Sequence, residues 1–165
     1  MKLQSKSETS GMLLELDFRA GNIDDIEAVF ALNRTVFDEA WSKQAMLQSL
    51  QVGYDLFVCW HSETLVGYVL SQDILFEVQV MQISVAPTHR RQGIAKTLLN
   101  MLIQDKADYD VVMLEVRASN IAAQRFYESL GFSQVGKRPK YYSPTPTLAA
   151  EDAILFNFCP QVQSC

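Results

Sequence analysis

Two periodicities alternate along the chain and predict its elements. Leu14 to Phe18 reads Leu-Glu-Leu-Asp-Phe, a period of two that predicts a strand with one buried face. Asn22 then caps a helix whose Ile23, Ile26, Val29 and Phe30 form one apolar stripe, and Ser42 caps a second helix carrying Met46, Leu47 and Leu50. The short connector from Val36 to Trp41 places a Trp where chain segments meet, which reads as a packed anchor. Asp55 to Trp60 and Leu65 to Ser71 form a hairpin across His61-Ser62-Glu63-Thr64. Val111 to Val116 is a continuous apolar run broken only by Glu115, as in a strand covered on both faces. Ser119 or Asn120 caps a helix with Ala123, Phe126, Tyr127 and Leu130 at helical spacing, and Gly131 fits its C-terminal cap. Ser133 to Lys137 and Ala153 to Phe158 are two final strands, joined by a loop holding Tyr141, Tyr142, Pro144 and Pro146.

The run from Ile74 to Val85 changes phase. Phe76, Val78 and Val80 are apolar on even numbers, but Ile83 and Val85 on odd ones. One extra residue turns all later side chains to the other face unless the strand bulges, so a β-bulge is predicted at about Met81 to Ile83. It would bend the strand away from a parallel neighbour and free backbone groups there.

After Val85, Pro87 ends the ladder, and from Ile94 the apolar residues Ile94, Leu98, Met101 and Leu102 fall at helical spacing. The intervening loop is therefore a helix N-terminus, with unpaired N–H groups at the positive end of the dipole and His89, Arg90 and Arg91 beside them. That combination suits a pyrophosphate. The single glycine, Gly93, excludes both the three-glycine dinucleotide turn and the Gly-Lys-Ser/Thr phosphate loop.

At 165 residues the chain has the length of one domain, expected over residues 12–160 between an N-terminal tail (1–11) and a C-terminal tail (161–165). The formal net charge of −5 argues against a nucleic-acid partner, and no apolar run is long enough to cross a membrane. No basic-then-apolar signal segment opens the chain, so a cytoplasmic protein is expected. Cys59, Cys159 and Cys165 are odd in number and widely spaced, which favours reduced thiols over a disulfide framework or a zinc site. Neither His61 nor His89 has a Ser or Cys nucleophile arranged around it, so a hydrolase triad has no support.

Arg90-x-x-Gly93-x-Ala95 resembles the pyrophosphate motif of the GCN5-related N-acetyltransferases (GNAT), with Ala95 in place of the second glycine. Leu114-Glu-Val-Arg-Ala-Ser-Asn120, Phe126-Tyr-Glu-Ser-Leu-Gly-Phe132 and then Tyr141-Tyr142 are similar to one branch of that family, the bacterial ribosomal-protein-alanine N-acetyltransferases (RimI). The resemblance spans about Leu14 to Phe158. It implies an α/β (α+β) GNAT fold, a mixed central sheet of about seven strands in β-α-α-β-β-β-α-β-α-β-β order, with the bulged fourth strand beside an acetyl-CoA site.

Carried over by position, the resemblance implies Glu115 as general base and Tyr127 as general acid. It places acetyl-CoA against Ile83, Ser84, Val85, Arg90, Arg91, Gln92, Gly93, Ile94, Ala95, Lys96 and Asn120, and the acceptor peptide against Glu77, Tyr141 and Tyr142. Without the family, Glu115 reads as a paired strand-end carboxylate, Tyr127 as a core aromatic and Asn120 as a helix cap. The expected acceptor is the N-terminal alanine of a small-subunit ribosomal protein of the bS18 type, modified by a monomer or weak homodimer without a metal. The alternatives are other protein N-termini, lysine or a small amine, and a non-catalytic acetyl-CoA sensor.

Overall fold

The computed structural model describes residues 15–161; the expected tail over residues 1–11 lies outside them, as does the C-terminal tail beyond residue 161. Strand β1 (Leu16–Ala20) leads through a 3-10 turn into helices α1 (Ile26–Val36) and α2 (Lys43–Gln51), followed by strands β2 (Asp55–His61), β3 (Thr64–Ile74) and β4 (Glu77–Val85). Helix α3 (Ile94–Asp105), strand β5 (Val111–Arg117), helix α4 (Ile121–Ser129) and strands β6 (Ser133–Tyr142) and β7 (Glu151–Phe158) complete the expected order.

The strands form one sheet in the order β1-β2-β3-β4-β5-β7-β6. Only β4 and β5 run parallel, as a crossover through α3 requires; the other pairs are antiparallel. The helix caps sit where the polar residues fall. Asn22 and Asp25 make a reciprocal capping box, Ser42 Oγ accepts from the Ala45 N–H, and Asn120 Oδ1 accepts from the Ala123 N–H.

Each face of the sheet buries its own core. On one face Leu98, Leu99 and Leu102 of α3 and Tyr127 of α4 pack on Val78, Val80, Val112 and Leu114. On the other, Ile26, Val29 and Met46 of α1 and α2 pack on Leu56, Val58, Tyr68 and Leu70. Gly67 lets α3 approach β3 closely, since a Cβ there would stand 2.7 Å from Ile94 Cγ2.

The bulge lies where the phase slip predicts it. Leu70 opposes Gln82 and Ser71 opposes Val80, leaving Met81 as the extra residue. Val78 and Val80 before it, and Ile83 and Val85 after it, all face the α3/α4 core, while Met81 turns to the other. The parallel ladder between β4 and β5 pairs only Glu77, Val78 and Gln79 with Val111, Val112 and Met113, and the strands part beyond it.

Far from that opening, Lys106 at the end of α3 is buried between Asp55 and Asp73, its Nζ 2.7 Å and 2.8 Å from their Oδ2 atoms. Tyr109 OH donates to the same Asp73 oxygen at 2.6 Å. This cluster ties the chain just before β5 to the ends of β2 and β3.

Several details differ from the sequence reading. β3 continues to Ile74, and the turn to β4 is Leu75-Phe76, with Leu75 in the left-handed region (φ +59°). β6 runs on through Tyr142, so both tyrosines close a strand instead of lying in the following loop. Cys59 is a buried free thiol, but Cys159 is disulfide-bonded, against the expectation of reduced thiols throughout. No helix among the described residues is long and apolar enough to cross a membrane.

Candidate functional site

Two clefts open where β4 and β5 part. The first, about 490 Å³, runs along the loop between β4 and α3. Ile83, Ser84 and Val85 supply one wall, Arg90, Arg91, Gly93, Ile94, Ala95 and Lys96 another, and Asn120 of the α4 cap a third. These are the residues expected to hold acetyl-CoA, except Gln92, which sits in the same loop but does not line the cleft. His89, which the sequence places beside the helix N-terminus, lines it too; Val36, Phe37 and, from α4, Ala123 and Phe126 also line it and were not expected.

Gly93 enters α3 in the left-handed region (φ +78°), and no side chain caps the helix N-terminus. Its first N–H groups therefore remain available to an anion, with the helix dipole and two arginines favouring negative charge. Arg90 Nε donates to Val85 O at 3.3 Å, and the His61 Nδ1 to His89 Nε2 contact at 2.9 Å fixes the preceding turn to the end of β2. Ser84 Oγ is buried in this wall with no hydrogen-bond partner. An orphaned hydroxyl beside open helix N–H groups fits a ligand with both a polar arm and a phosphate end.

The second cleft, about 650 Å³, lies on the α1/α2 side. Gln79, Met81 and Gln82 of β4, Glu115 and Arg117 of β5, Tyr141 and Tyr142 of β6, and Phe37, Asp38 and Trp41 of the α1–α2 connector surround it. Two links hold its rim. Thr147 Oγ1 donates to Asp38 Oδ2 at 2.7 Å, joining the β6–β7 loop to the connector. Buried Asn33 donates through Nδ2 to Tyr68 OH (2.7 Å) and Gln82 Oε1 (2.9 Å), and its Oδ1 accepts the Trp41 N–H (2.9 Å). Trp41 is thus a packed anchor and a wall of the cleft together.

Glu115 faces this cleft with its side chain 13% exposed. Its Oε1 lies 2.9 Å from Arg138 Nη1 of β6, and burial together with the nearby Glu115 carboxylate raises the Tyr141 hydroxyl above its ordinary value. Tyr127 is buried in the aromatic cluster of Phe126, Phe132 and Phe156, and burial pushes its hydroxyl up to about 12, with the proximity of Tyr142 adding to the shift. Burial likewise pushes Tyr142 up to about 12, helped by the Glu115 charge, and the Arg117 guanidinium stacks over its ring at 4.3 Å.

Val36, Phe37, Ile83, Arg90, Asn120, Ala123 and Tyr127 line both clefts, so the two spaces meet around Tyr127. Glu77 stands apart. It is exposed at the start of β4, opposite Val111 and at the other end of the strand from Ile83, and it lines neither cleft. The sequence reading did not single out Arg117 or the connector residues Phe37, Asp38 and Glu39, which line the larger cleft, nor Arg138, which pairs with Glu115. No group of three or more His, Cys, Asp or Glu among the described residues is placed to hold a metal ion.

A family model described as the acetyltransferase (GNAT) family matches residues 26–132. Ribosomal protein bS18-alanine N-acetyltransferase of Escherichia coli (strain K12) is 32% identical over 133 residues, covering 79% of this chain and 88% of that protein. N-alpha-acetyltransferase RimI of Mycobacterium tuberculosis is 39% identical over 112 residues, 65% of this chain and 70% of that one. The crystal structure of the ribosomal-protein-S18-alanine N-acetyltransferase from Escherichia coli superposes with a TM-score of 0.83 at 28% identity, covering 91% of this chain and 97% of that one.

Proposed function

This chain belongs to the acetyltransferase (GNAT) family, and we propose that it is an N-alpha-acetyltransferase moving acetyl from acetyl-CoA to the N-terminal alanine of a small-subunit ribosomal protein. The single observation carrying this reading is the meeting of the two clefts at Tyr127 and Ile83, with Glu115 on the α1/α2 side. The acceptor enters the larger cleft and the cofactor the smaller, so amine and thioester converge where the strands part. The bS18-alanine acetyltransferases at about 30% identity over most of their length supply the choice of acceptor.

Acetyl-CoA, when bound, supplies the activated acetyl group. The first turn of α3 and the loop from Arg90 to Lys96 hold its diphosphate, Ser84 and Asn120 its amide arm. Backbone N–H groups around Ile83 to Val85 polarise the carbonyl oxygen.

An α-amine has a pKa near 8, so about a tenth is neutral at pH 7, and the demand on a base is modest. Glu115 takes the amine proton, directly or through water. Tyr127 keeps its own proton throughout the neutral range, its hydroxyl being raised to about 12, and delivers it to the departing sulfur. Tyr141 and Tyr142 order the acceptor backbone.

Incubating the protein with acetyl-CoA and two peptides tests this. One begins with a free alanine and copies the ribosomal protein's N-terminus; the other is N-blocked with an internal lysine. Thiol release with the acetyl group located on the α-amine is expected. Acetylation of the lysine alone overturns the acceptor, and cofactor binding without turnover on either peptide or on small amines points to a sensor.

A further inference from the structure

We propose that Arg117 reads the carbonyl oxygen adjacent to the acceptor amine, so that an α-aminoacyl group, and not an amine as such, is the substrate class of this site. The inference rests on the larger cleft being the acceptor site.

Glu115 and Arg117 are two residues apart on β5, on one face of the sheet, with Cα atoms about 7 Å apart, and both line the cleft. Arg117 Nη1 is buried and has no hydrogen-bond partner. The nearby carboxylates are committed elsewhere. Glu115 holds Arg138, and Glu151 accepts from the Ser119 N–H and hydroxyl at 2.8–2.9 Å. The Tyr142 ring, 4.3 Å away, holds the guanidinium plane in place. A buried cationic N–H without an acceptor is unfavourable, and a ligand oxygen removes that penalty.

The kind of oxygen follows from the surroundings. The cleft lining carries three carboxylates, Asp38, Glu39 and Glu115, against the guanidiniums of Arg90 and Arg117, so it already holds more negative than positive charge and does not call for a further anion. A neutral carbonyl fits. One residue spans at most about 3.6 Å, so a peptide amine placed at Glu115 brings its own carbonyl towards Arg117, while a lysine ε-amine brings only methylenes.

The test uses saturating acetyl-CoA, the alanyl peptide, and the same peptide with an alkene replacing its first peptide bond. The wild-type chain is expected to lose about 30- to 100-fold in kcat/KM from peptide to alkene, as for other lost charge-assisted contacts. With rates compared at equal concentrations of neutral amine, because losing the carbonyl also raises the amine pKa, Arg117→Met should lose about as much on the peptide, treat the two acceptors alike, and bind acetyl-CoA as the wild type does, with Arg117→Lys recovering part of the preference. Equal discrimination by wild type and Arg117→Met, or no discrimination by wild type, overturns the inference while α-amine transfer stands. Should Arg117→Met fail to fold, Arg117→Lys takes its place, and a preference unchanged from the wild type overturns the inference. Turnover of the N-blocked lysine peptide but not the alanyl one overturns the acceptor reading and this inference together.

Discussion

Arg138 Nη1 lies 2.9 Å from Glu115 Oε1, so the carboxylate that β5 turns into the larger cleft is held by a guanidinium from edge strand β6. Glu115→Gln keeps the shape and an oxygen for Arg138 but removes the base. At pH 7 its kcat/KM on an alanyl peptide should fall by about 10²–10⁴, with KM for acetyl-CoA unchanged. The deficit should narrow by about tenfold towards pH 9, because the acceptor then deprotonates without help. Initial rates across this pH range check both; a pH-independent deficit would remove Glu115 from the proton path.

Tyr127→Phe retains the ring that packs on Phe126, Phe132 and Phe156. Its melting temperature should therefore stay within a few degrees of wild type while kcat falls about a hundredfold. Because the Tyr127 hydroxyl is raised to about 12, wild-type kcat should show no alkaline loss from this group up to about pH 10. Calorimetry and stopped-time assays of the same preparations separate the two effects.

Two glycines should fail in different ways. At Gly93 a Cβ meets nothing within 4 Å, but φ is +78°, so Gly93→Ala costs about 1–2 kcal/mol of backbone strain at the loop itself. Weaker acetyl-CoA binding by calorimetric titration is expected. At Gly67 the conformation is ordinary and the space is filled by Ile94, so Gly67→Ala is expected to lower global stability by about 1–3 kcal/mol in urea unfolding. The reverse assignment would contradict the described packing.

Lys106 contributes stability with a definite pH window. Burial disfavours its ammonium, but hydrogen bonds and charge from Asp55 and Asp73 outweigh that and raise its pKa above the ordinary 10.5. A folded-state pKa raised above the unfolded one means a contribution fully present below about pH 10 and lost as pH climbs through the folded value. Lys106→Met should cost about 1–3 kcal/mol at pH 7, discounted because both aspartates are partly exposed, and the gap to wild type should close only in strong alkali. Denaturant titrations at pH 7 and above pH 10 measure it.

Much of this was legible in the sequence for local reasons. The bulge at Met81 announces itself because Val78, Val80, Ile83 and Val85 must share one core and cannot do so in a single phase. The loop at Gly93 is equally local: one glycine, two arginines and a helix stripe within a few residues. Arg138 was not legible, because an exposed cation on an edge strand has no pattern, and its partner Glu115 is distant in the chain. The alternation marked β6 only to Lys137, yet an edge strand tolerates Pro139, which has no N–H, and the strand continues past it to Tyr142. The Leu75-Phe76 turn carries neither Gly nor Asn to mark it. Glu77 was placed by resemblance alone, and strand direction puts it at the wrong end of β4 for either cleft.

The short ladder between β4 and β5 has a thermodynamic consequence. In the sheet, β4 and β5 pair along their ladder at residues 77–79 and 111–113 alone, so beyond that point the two strands leave a seam open between them. A molecule lodged in the seam makes the cross-links that neither strand makes with the other, and its binding energy becomes folding energy. At a hundred times its dissociation constant it adds about 2.7 kcal/mol to the stability of the whole chain. The melting temperature is therefore a built-in gauge of occupancy, able to rank candidate cofactors and paired acceptors before any turnover is seen.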